Sequence, residues 1–279
     1  MVPLLTVRNL SVTFPTATGA VEAVRNVSFA LGRERLGVVG ESGSGKSTVG
    51  RAVMGLVPPP GRWTADELTL EGLDLQGLSE RRFRHIRGRR LAMVLQDPKF
   101  ALNPLMTAGH QIAEAHQTHF RAGSKAARLA ALRRLETLGL PDPERVYRMY
   151  PHELSGGMGQ RVMIAMMLIA DPQVLIADEP TSALDVMLQR QLLTAIDEQV
   201  RARGMGVIFI SHNLRLIASF CDRVIVMRGG RIVEACEASE LESSQHPYVR
   251  RLLSALPDLR DRRAVLPHMA RDLASVEET

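Results

Sequence analysis

The sequence is poor in cysteine and in aromatic residues, and it has no long apolar run. Cys221 and Cys236 form neither a C-x-x-C pair nor a His/Cys grouping at metal-ligand spacing, which argues against a disulfide framework and against a zinc site. The longest strongly apolar run, residues 162–170, is far shorter than the ~18 residues that suggest a membrane span. Residues 1–10 lack the basic and apolar regions of a signal peptide. We therefore expect a soluble globular protein that stays in the cytoplasm.

Lysine is also scarce: Lys46, Lys99 and Lys125 are the only lysines, so arginine carries almost all of the formal net charge of +5. The densest basic run, residues 81–90, contains a single aromatic residue, Phe83. Nucleic-acid-binding surfaces concentrate positive charge and often interleave it with stacking aromatics. We interpret this run first as a solvated helix face, and second as a patch for phosphates or anionic headgroups. Nucleic acid is therefore not an expected partner.

The most informative stretch is G-E-S-G-S-G-K-S at residues 40–47, which matches the phosphate-binding pattern G-x-x-x-x-G-K-[ST]. The apolar residues 36–39 predict a short buried strand before this loop, and residues 47–56 predict a helix after it. Glycines let backbone N–H groups turn inward around a polyphosphate, and the N-terminus of the helix adds unpaired N–H donors. The alternative interpretation is a glycine-rich turn without a ligand.

The loop pattern predicts a site for a nucleoside triphosphate. We expect Lys46 to reach the outer phosphates and the Ser47 hydroxyl to bind Mg²⁺. The predicted nucleotide-binding residues of this loop are Gly40, Glu41, Ser42, Gly43, Ser44, Gly45, Lys46, Ser47 and Thr48.

Strand and helix patterns alternate around the loop. Residues 4–14 and 21–31 alternate apolar and polar positions, which predicts a β-rich, antiparallel entry into the domain. Residues 174–177 and 207–210 are apolar throughout and predict buried strands between helices. This order is typical of an α/β fold with a mostly parallel sheet that binds ligands at the C-terminal ends of its strands.

The stretch at residues 97–153 has a different, helical character. Within it, residues 124–138 carry leucine at every third position from 129 onward with alanines between, and the pattern stops at a glycine, which predicts an amphipathic helix. We therefore divide the chain into a nucleotide-binding core with its β subdomain at 1–96 and 154–240, an inserted helical subdomain at 97–153, and a short C-terminal extension at 241–279.

Four further motifs follow the loop in order. They are Gln96 behind one predicted strand, L-S-G-G-M-G-Q-R at 154–161, D-P-Q-V-L-I-A-D-E-P at 171–180, and His212 behind another predicted strand. With the loop at 40–47, this set resembles the ATP-binding cassette (ABC) family of transporter ATPases over nearly the whole chain. The resemblance implies a P-loop NTPase fold of the ABC type, with a RecA-like core, and ATP and Mg²⁺ as cofactors.

The acidic pair Asp178 and Glu179 follows an apolar strand and is expected to carry the chemistry. Such a strand delivers the Asp178 carboxylate beside the loop, where it would bind Mg²⁺ directly or through water. Glu179 would polarise the attacking water as general base. The alternative is an acidic pair at a helix N-terminus before Pro180.

The resemblance assigns roles to several further residues. Gln96 would sense Mg²⁺ and the water, and His212 would donate to the γ-phosphate, whereas each alone would be interpreted as an ordinary surface or strand-end residue. Phe14 would stack on adenine, although a core strand phenylalanine is nearly as good an interpretation. Ser155, Gly156 and Gly157 would form a second anion cradle for the ATP of an opposing subunit, and residues 182–185, including Asp185, match the dimer-contact loop of the family.

Three positions depart from the common family pattern: Met158, Asn213 and Arg33. Family members more often have Gln, Asp and Gly there. None of these departures removes a group that is expected to touch phosphate, so the predicted site is catalytically complete.

Several stretches resemble the dipeptide, oligopeptide and nickel importer branch, namely residues 40–47, 96–104, 154–158 and 246–257. Residues 161–168 resemble the first of the two ATPase subunits that such importers often carry. Longer peptide-type relatives have a cysteine-bearing C-terminal extension associated with an iron–sulfur cluster. This chain lacks those cysteines, so no cluster is expected, and its tail resembles nickel or metallophore importer subunits somewhat more.

The expected function is ATP hydrolysis that energises uptake of peptides or of nickel and other metal complexes. The resemblance implies a peripheral subunit on the cytoplasmic face of the cell inner membrane. Its expected partners are transmembrane permease subunits, a second ABC ATPase that is either a paralogue or an identical copy, and indirectly a substrate-binding protein. The cargo itself is not expected to be encoded in this chain, because selectivity in the family lies mostly in the permease and binding protein.

Other function classes fit the sequence less well. Soluble cassette ATPases that act on nucleic acid or ribosomes usually carry tandem cassettes or a long coiled coil, and this sequence has neither. A P-loop GTPase would explain the D-x-x-G match at residues 74–77, but no N-K-x-D follows because none of the three lysines comes after Asn. An exporter of the ABC family is the remaining alternative.

Overall fold

The computed structural model describes residues 3–17, 19–98, 101–182 and 184–255. Within these ranges, the strands are β1 (Leu5–Thr16), β2 (Gly19–Leu31), β3 (Arg35–Val39), β4 (Arg62–Thr64), β5 (Glu67–Leu70), β6 (Leu73–Asp74), β7 (Leu91–Val94), β8 (Val174–Asp178), β9 (Gly206–Ile210), β10 (Arg223–Arg228) and β11 (Arg231–Glu237). The α-helices are α1 (Lys46–Val53), α2 (Glu80–Ile86), α3 (Ala108–Phe120), α4 (Ser124–Thr137), α5 (Pro143–Arg148), α6 (Gly156–Leu168), α7 (Val186–Arg203), α8 (Leu214–Phe220) and α9 (Pro247–Ser254).

The central sheet has the strand order β11-β10-β3-β9-β8-β7. All neighbouring pairs are parallel except β10 and β11, which form an antiparallel hairpin. Every residue of β8 and β9 is buried, as expected for strands of a parallel sheet that is covered on both faces. The mostly parallel sheet is thus confirmed, and its order brings the C-terminal ends of β3, β9 and β8 to one edge.

The second sheet is antiparallel. Its strands lie in the order β2-β1-β5-β6, and β4 also pairs with β1. This sheet is built largely from the N-terminal part of the chain and confirms the antiparallel β subdomain that the alternating pattern predicts.

Two apolar cores lie on opposite faces of the central sheet. On β9, Val207 and Phe209 belong to one core, whereas Ile208 and Ile210 belong to the other, following the two-residue period of a strand. The first core contains the buried faces of α3, α4, α6 and α7, and the second contains the antiparallel sheet and α1. Helix α1, which follows the phosphate-binding loop, is therefore held by both sheets.

Helices α3, α4 and α5 come between β7 and α6 along the chain, in the stretch where a helical insertion is predicted. The predicted helix α4 is confirmed and ends before Gly139, which has a φ of +66°. Its buried face, however, runs through Ala127, Ala131 and Leu135, while Leu129 is 49% exposed. The leucine repeat therefore marks the buried face only in part: Leu135 lies on it and Leu129 does not, because the small Ala127 and Ala131 are the residues that pack inward in the first turns of the helix.

The basic run at residues 81–90 lies on and just after α2, with its apolar Phe83 and Ile86 buried. Arg87 donates to Glu80 over 2.7 Å, and its guanidinium lies 4.4 Å from the centre of the Phe83 ring. The remaining arginines of this helix are exposed, as in the first interpretation of the run as a solvated helix face. In the part of the chain that the structure describes, no helix has the length and apolar character needed to cross a bilayer.

Candidate nucleotide-binding site

The phosphate-binding loop connects β3 to α1 and contains two glycines that no other residue replaces without a clash. Gly40 has a φ of +156°, and a Cβ there would lie 2.2 Å from the carbonyl oxygen of Met227. Gly45 has a φ of +99°, and its Cβ would lie 2.5 Å from the carbonyl oxygen of Ala23. The loop is therefore pressed between β10 and β2, which gives the glycine pattern of the sequence a physical cause.

Lys46 is 8% exposed and lies at the centre of this loop. Its ammonium group donates to the carbonyl oxygens of Gly40 and Glu41, each over 2.8 Å. Burial lowers the pKa of Lys46, while the neighbouring carboxylates of Glu179, Asp178 and Glu41 raise it. An incoming anion would therefore stabilise the charged form of a lysine that is partly stripped of water.

Asp178 is the last residue of β8 and lies beside the loop, as the apolar strand before it predicts. The Ser47 hydroxyl donates to its carboxylate over 2.9 Å. Burial raises the pKa of Asp178, and the hydrogen bond from Ser47 lowers it. With the Gln96 side chain in the same cleft, these residues supply the oxygen ligands that Mg²⁺ prefers, so they fit this ion.

Glu179 turns away from the strand direction because its φ is +50°, an uncommon value for a residue other than glycine. Its carboxylate accepts two hydrogen bonds from His212, one from the backbone N–H over 2.9 Å and one from Nδ1 over 2.8 Å. The Glu179 side chain is 11% exposed and that of His212 is 73% exposed. An ionised carboxylate can only accept, so this contact requires a proton on Nδ1.

These side chains line one cleft of about 280 Å³. Ten of its lining residues are among those that the sequence predicts: Ser42, Gly43, Gly45, Lys46, Ser47, Thr48, Gln96, Asp178, Glu179 and His212. The eleventh, Ala23 of β2, was missed, because an alanine in a strand gives no signal in the sequence. Gly40, Glu41 and Ser44 form the back of the loop rather than the wall of the cleft.

The predicted second cradle lies at the start of α6 and does not line this cleft. Helix α6 begins at Gly156, and the Ser155 hydroxyl caps it by accepting from the N–H of Met158 over 3.3 Å. Gly157 also lies in this first turn. The unpaired backbone N–H groups of this first turn are suited to binding an anion, but not one that is bound in the cleft of the same chain.

Asp185 and Phe14 also lie outside the cleft. Asp185 caps α7 by accepting from the N–H of Leu188 over 2.9 Å, and Gly204 caps the other end of this helix. The Phe14 ring lies against Gly61, where an added Cβ would be 2.4 Å from the ring. Its stacking on adenine stays a prediction.

The structure also bears on the other positions around these motifs. Asn213, one of the three departures, caps α8 by accepting from the N–H of Leu216, a role that an aspartate would also fill. Ser182 donates to the carbonyl oxygen of Glu179 over 3.1 Å, so the start of the predicted dimer-contact loop is tied to the acidic pair. Ala183 of that loop and residues 256–279 of the predicted C-terminal extension lie outside the described residues.

Comparison with known proteins agrees with this geometry. A family model described as "ABC transporter" matches residues 24–182. The chain is 45% identical over 259 residues to the oligopeptide transport ATP-binding protein OppD of Bacillus subtilis, covering 92% of this chain and 72% of that protein. It is 43% identical over 269 residues to the dipeptide transport ATP-binding protein DppD of Escherichia coli K12, covering 95% and 82% respectively.

Two further likenesses concern a longer relative and a solved structure. The glutathione import ATP-binding protein GsiA of Escherichia coli O1:K1 is 44% identical over 264 residues, which are 92% of this chain and 42% of that protein. The dimeric post-hydrolysis structure of the ATP-binding cassette MJ0796 with ADP and phosphate superimposes with a TM-score of 0.77 at 26% identity, covering 84% of this chain and 98% of that one.

Proposed function

The chain belongs to the ABC transporter family, and we propose that it hydrolyses ATP to drive the uptake of peptides through partner permeases. The observation that carries this proposal is the meeting of Lys46 with the acidic pair Asp178 and Glu179 at one cleft, although the lysine precedes the pair by more than a hundred residues in the chain. The relatives are named for oligopeptide, dipeptide and glutathione transport, which favours peptides over nickel or metal complexes as the class of cargo.

The loop at residues 40–48 binds the phosphates of ATP in this proposal. Lys46 supplies a positive charge that is already held at the loop centre by two carbonyl oxygens, so little ordering is needed when the outer phosphates arrive. The N-terminus of α1 adds backbone N–H donors next to it.

Ser47, Asp178 and Gln96 hold Mg²⁺ in this proposal. The ion, when bound, neutralises the negative charge of the phosphate oxygens. The Ser47 hydroxyl and the Asp178 carboxylate are already within hydrogen-bond distance, so both oxygens are positioned before nucleotide binds.

Glu179 is the proposed general base. One of its oxygens is held by the backbone and side chain of His212, and the other remains available to accept a proton from the attacking water. His212 is also well placed to contact the γ-phosphate, because its side chain is mostly exposed to the cleft side of the sheet edge. The same contact thus orients the base and the phosphate-sensing residue.

A second ATPase chain completes the site in this proposal. Ser155, Gly156 and Gly157 form an anion cradle that does not face the chain's own cleft, which supports a nucleotide held between two cassettes. Val186 and Met187, directly after Asp185, are each 71% exposed, and such side chains are suited to burial against a partner. The partner is either a paralogue or a second copy of this chain.

The remaining assignments concern the assembly. The transmembrane permeases would receive the motion of the predicted inserted helical subdomain, and a substrate-binding protein would deliver the cargo. The chain would then lie peripherally on the cytoplasmic face of the inner membrane. The boundaries of the predicted core, insertion and extension are part of this proposal.

Affinity purification tests the assembly. A tagged Glu179→Gln chain is isolated from its own membranes in Mg-ATP, and every chain that copurifies is identified. Two permeases and a second cassette are expected, and a parallel isolation of Lys46→Ala should recover fewer second cassettes because closure requires ATP. Recovery of ribosomal or DNA-associated proteins without a permease would contradict the proposed importer function.

A second experiment identifies the class of cargo. The companion binding protein is titrated with peptides and with metal complexes to separate these two classes.

A further inference from the structure

The stretch H-P-Y at residues 246–248 begins the last described helix, α9, and its role is not explained by the site above. His246 caps this helix by accepting from the N–H of Tyr248 at its Nδ1, over 3.2 Å, and Pro247 occupies the first helical position. The N–H of His246 in turn donates to the Ser244 hydroxyl over 3.1 Å, and this hydroxyl donates to Glu234 of β11. The start of α9 is therefore anchored to the central sheet.

This anchoring directs Tyr248 into the protein, where it is 1% exposed. Its hydroxyl accepts a hydrogen bond from the backbone N–H of Glu41 over 3.2 Å, although the two residues lie 207 positions apart. The guanidinium of Arg228, the last residue of β10, lies 5.0 Å from the centre of the Tyr248 ring. Burial raises the pKa of the Tyr248 hydroxyl, so it stays protonated at neutral pH.

The Glu41 N–H belongs to the same planar peptide group as the Gly40 carbonyl. That carbonyl accepts from the Lys46 ammonium over 2.8 Å. Tyr248 and Lys46 therefore hold the two ends of one peptide group, Tyr248 at the N–H and Lys46 at the oxygen. Rotation of this peptide group would break both contacts together.

Resting on the proposed ATPase function, we propose that Tyr248 is a positioning residue that holds the Gly40–Glu41 peptide so that Lys46 is ready for the phosphates. Without the hydroxyl, only Lys46 holds the peptide group, which then rotates more easily, and nucleotide binding must order it. The cost appears in binding rather than in the chemical step, because Tyr248 touches neither the Glu179 carboxylate nor the water it activates.

Tyr248→Phe removes the hydroxyl and keeps the ring. In the Glu179→Gln background, titration calorimetry with Mg-ATP is expected to give a Kd about three- to tenfold higher than that of the parent, the size expected for one hydrogen bond. In the wild-type background, KM for ATP rises by the same factor and kcat changes less than about twofold. Tyr147→Phe is the matched control, because this tyrosine lies on α5 and its ring packs against Arg128.

Amide hydrogen exchange of the unsubstituted chain without nucleotide gives a second measurement that needs no variant. The Glu41 amide is expected to exchange more slowly than those of Ser42 and Gly43, and equal exchange would overturn the proposal. If the Glu179→Gln parent binds Mg-ATP and Tyr248→Phe leaves its Kd unchanged, the positioning role of Tyr248 is overturned as well. A parent that does not bind Mg-ATP at all would instead overturn the proposed ATPase function.

Discussion

The Glu179 carboxylate accepts two hydrogen bonds from one residue, His212, at its backbone N–H and at its Nδ1. The contact exists because β8 and β9 are neighbours in the central sheet and end at the same level, with the Glu179 N–H donating to the carbonyl oxygen of Ile210. A flexible side chain is thereby held in one orientation by two donors. The group proposed to accept a proton from water is thus positioned before any ligand arrives.

Glu179→Gln tests this role. The amide keeps an oxygen for His212 but cannot accept a proton, so ATP hydrolysis should fall by about 10²- to 10⁴-fold while Mg-ATP binding is retained. Phosphate release and calorimetric titration measure the two quantities separately. Glu114→Gln, a change at an exposed glutamate of α3, is the matched control. Undiminished hydrolysis in Glu179→Gln would remove Glu179 from the role of general base.

Ser47→Ala tests the proposed Mg²⁺ ligands. Loss of the hydroxyl removes a ligand and also the hydrogen bond to Asp178, so the Mg²⁺ concentration for half-maximal hydrolysis should rise at least about tenfold. Ser47→Thr keeps a hydroxyl and should restore a value close to that of the parent. An unchanged Mg²⁺ requirement in the alanine variant would contradict the assignment.

The same variant should change the pH profile. Burial raises the pKa of Asp178 and the Ser47 hydrogen bond lowers it, so removing the hydroxyl leaves the effect of burial less opposed. The ionised carboxylate is the form that binds a cation. Activity should therefore be lost at a higher pH in Ser47→Ala than in the parent as the solution is acidified.

Local patterns were sufficient to predict the loop, the strands around it and the acidic pair, because each depends on residues that are adjacent in the chain. The start of α6 at Gly156 could also have been predicted from Ser155, because serine is a preferred N-cap residue. The contact between Glu41 and Tyr248 could not, because it depends on how β11 and α9 return to the loop from the far end of the chain. Likewise, the exposed Leu129 reflects the arrangement of three packed helices, which the spacing of leucines does not encode.

Arg35 and Asp222 make a prediction about stability. Arg35 donates to Asp222 with Nε over 3.0 Å and with a second nitrogen over 2.6 Å, and also to Asp197 over 2.5 Å, so it ties β3 to α7 and to the residue that precedes β10. Arg35→Lys loses this forked geometry and should lower the free energy of unfolding by about 1–3 kcal/mol. Urea denaturation measures the free energy of unfolding, and Arg8→Lys, at a mostly exposed arginine, is the control.

The pair also predicts acid sensitivity. Its hydrogen bonds with Arg35 hold the pKa of Asp222 below its usual range. A lowered pKa contributes stability that is complete above the unfolded value, about 3.9, and is lost as the pH falls below it toward the folded value. Asp222→Asn should therefore be less stable than the parent at neutral pH, with a difference that shrinks as the solution is acidified below pH ~4. A difference that stays constant with pH would show that the charge of Asp222 does not contribute.

Gly40→Ala tests whether the loop conformation, rather than its composition, is what binds nucleotide. A Cβ at this position would lie 2.2 Å from the backbone oxygen of Met227 and 2.8 Å from the Ser44 hydroxyl, at a φ of +156°. Because the first of these atoms belongs to the central sheet, the loop must move, and with it the carbonyl that holds Lys46. Overpacking of this kind costs about 1–3 kcal/mol of stability, so a lower melting temperature should accompany at least tenfold weaker binding of Mg-ATP.

Gly77→Ala is the matched control for this substitution, since nothing lies within 4 Å of a Cβ built there. It should leave both the melting temperature and the affinity for Mg-ATP unchanged. If Gly40→Ala lowered the melting temperature but kept the affinity, the loop would tolerate displacement and the preset position of Lys46 would not matter for binding. If both quantities fell together only in Gly40→Ala, the close contact between the loop and β10 would be the feature that prepares the site for phosphate.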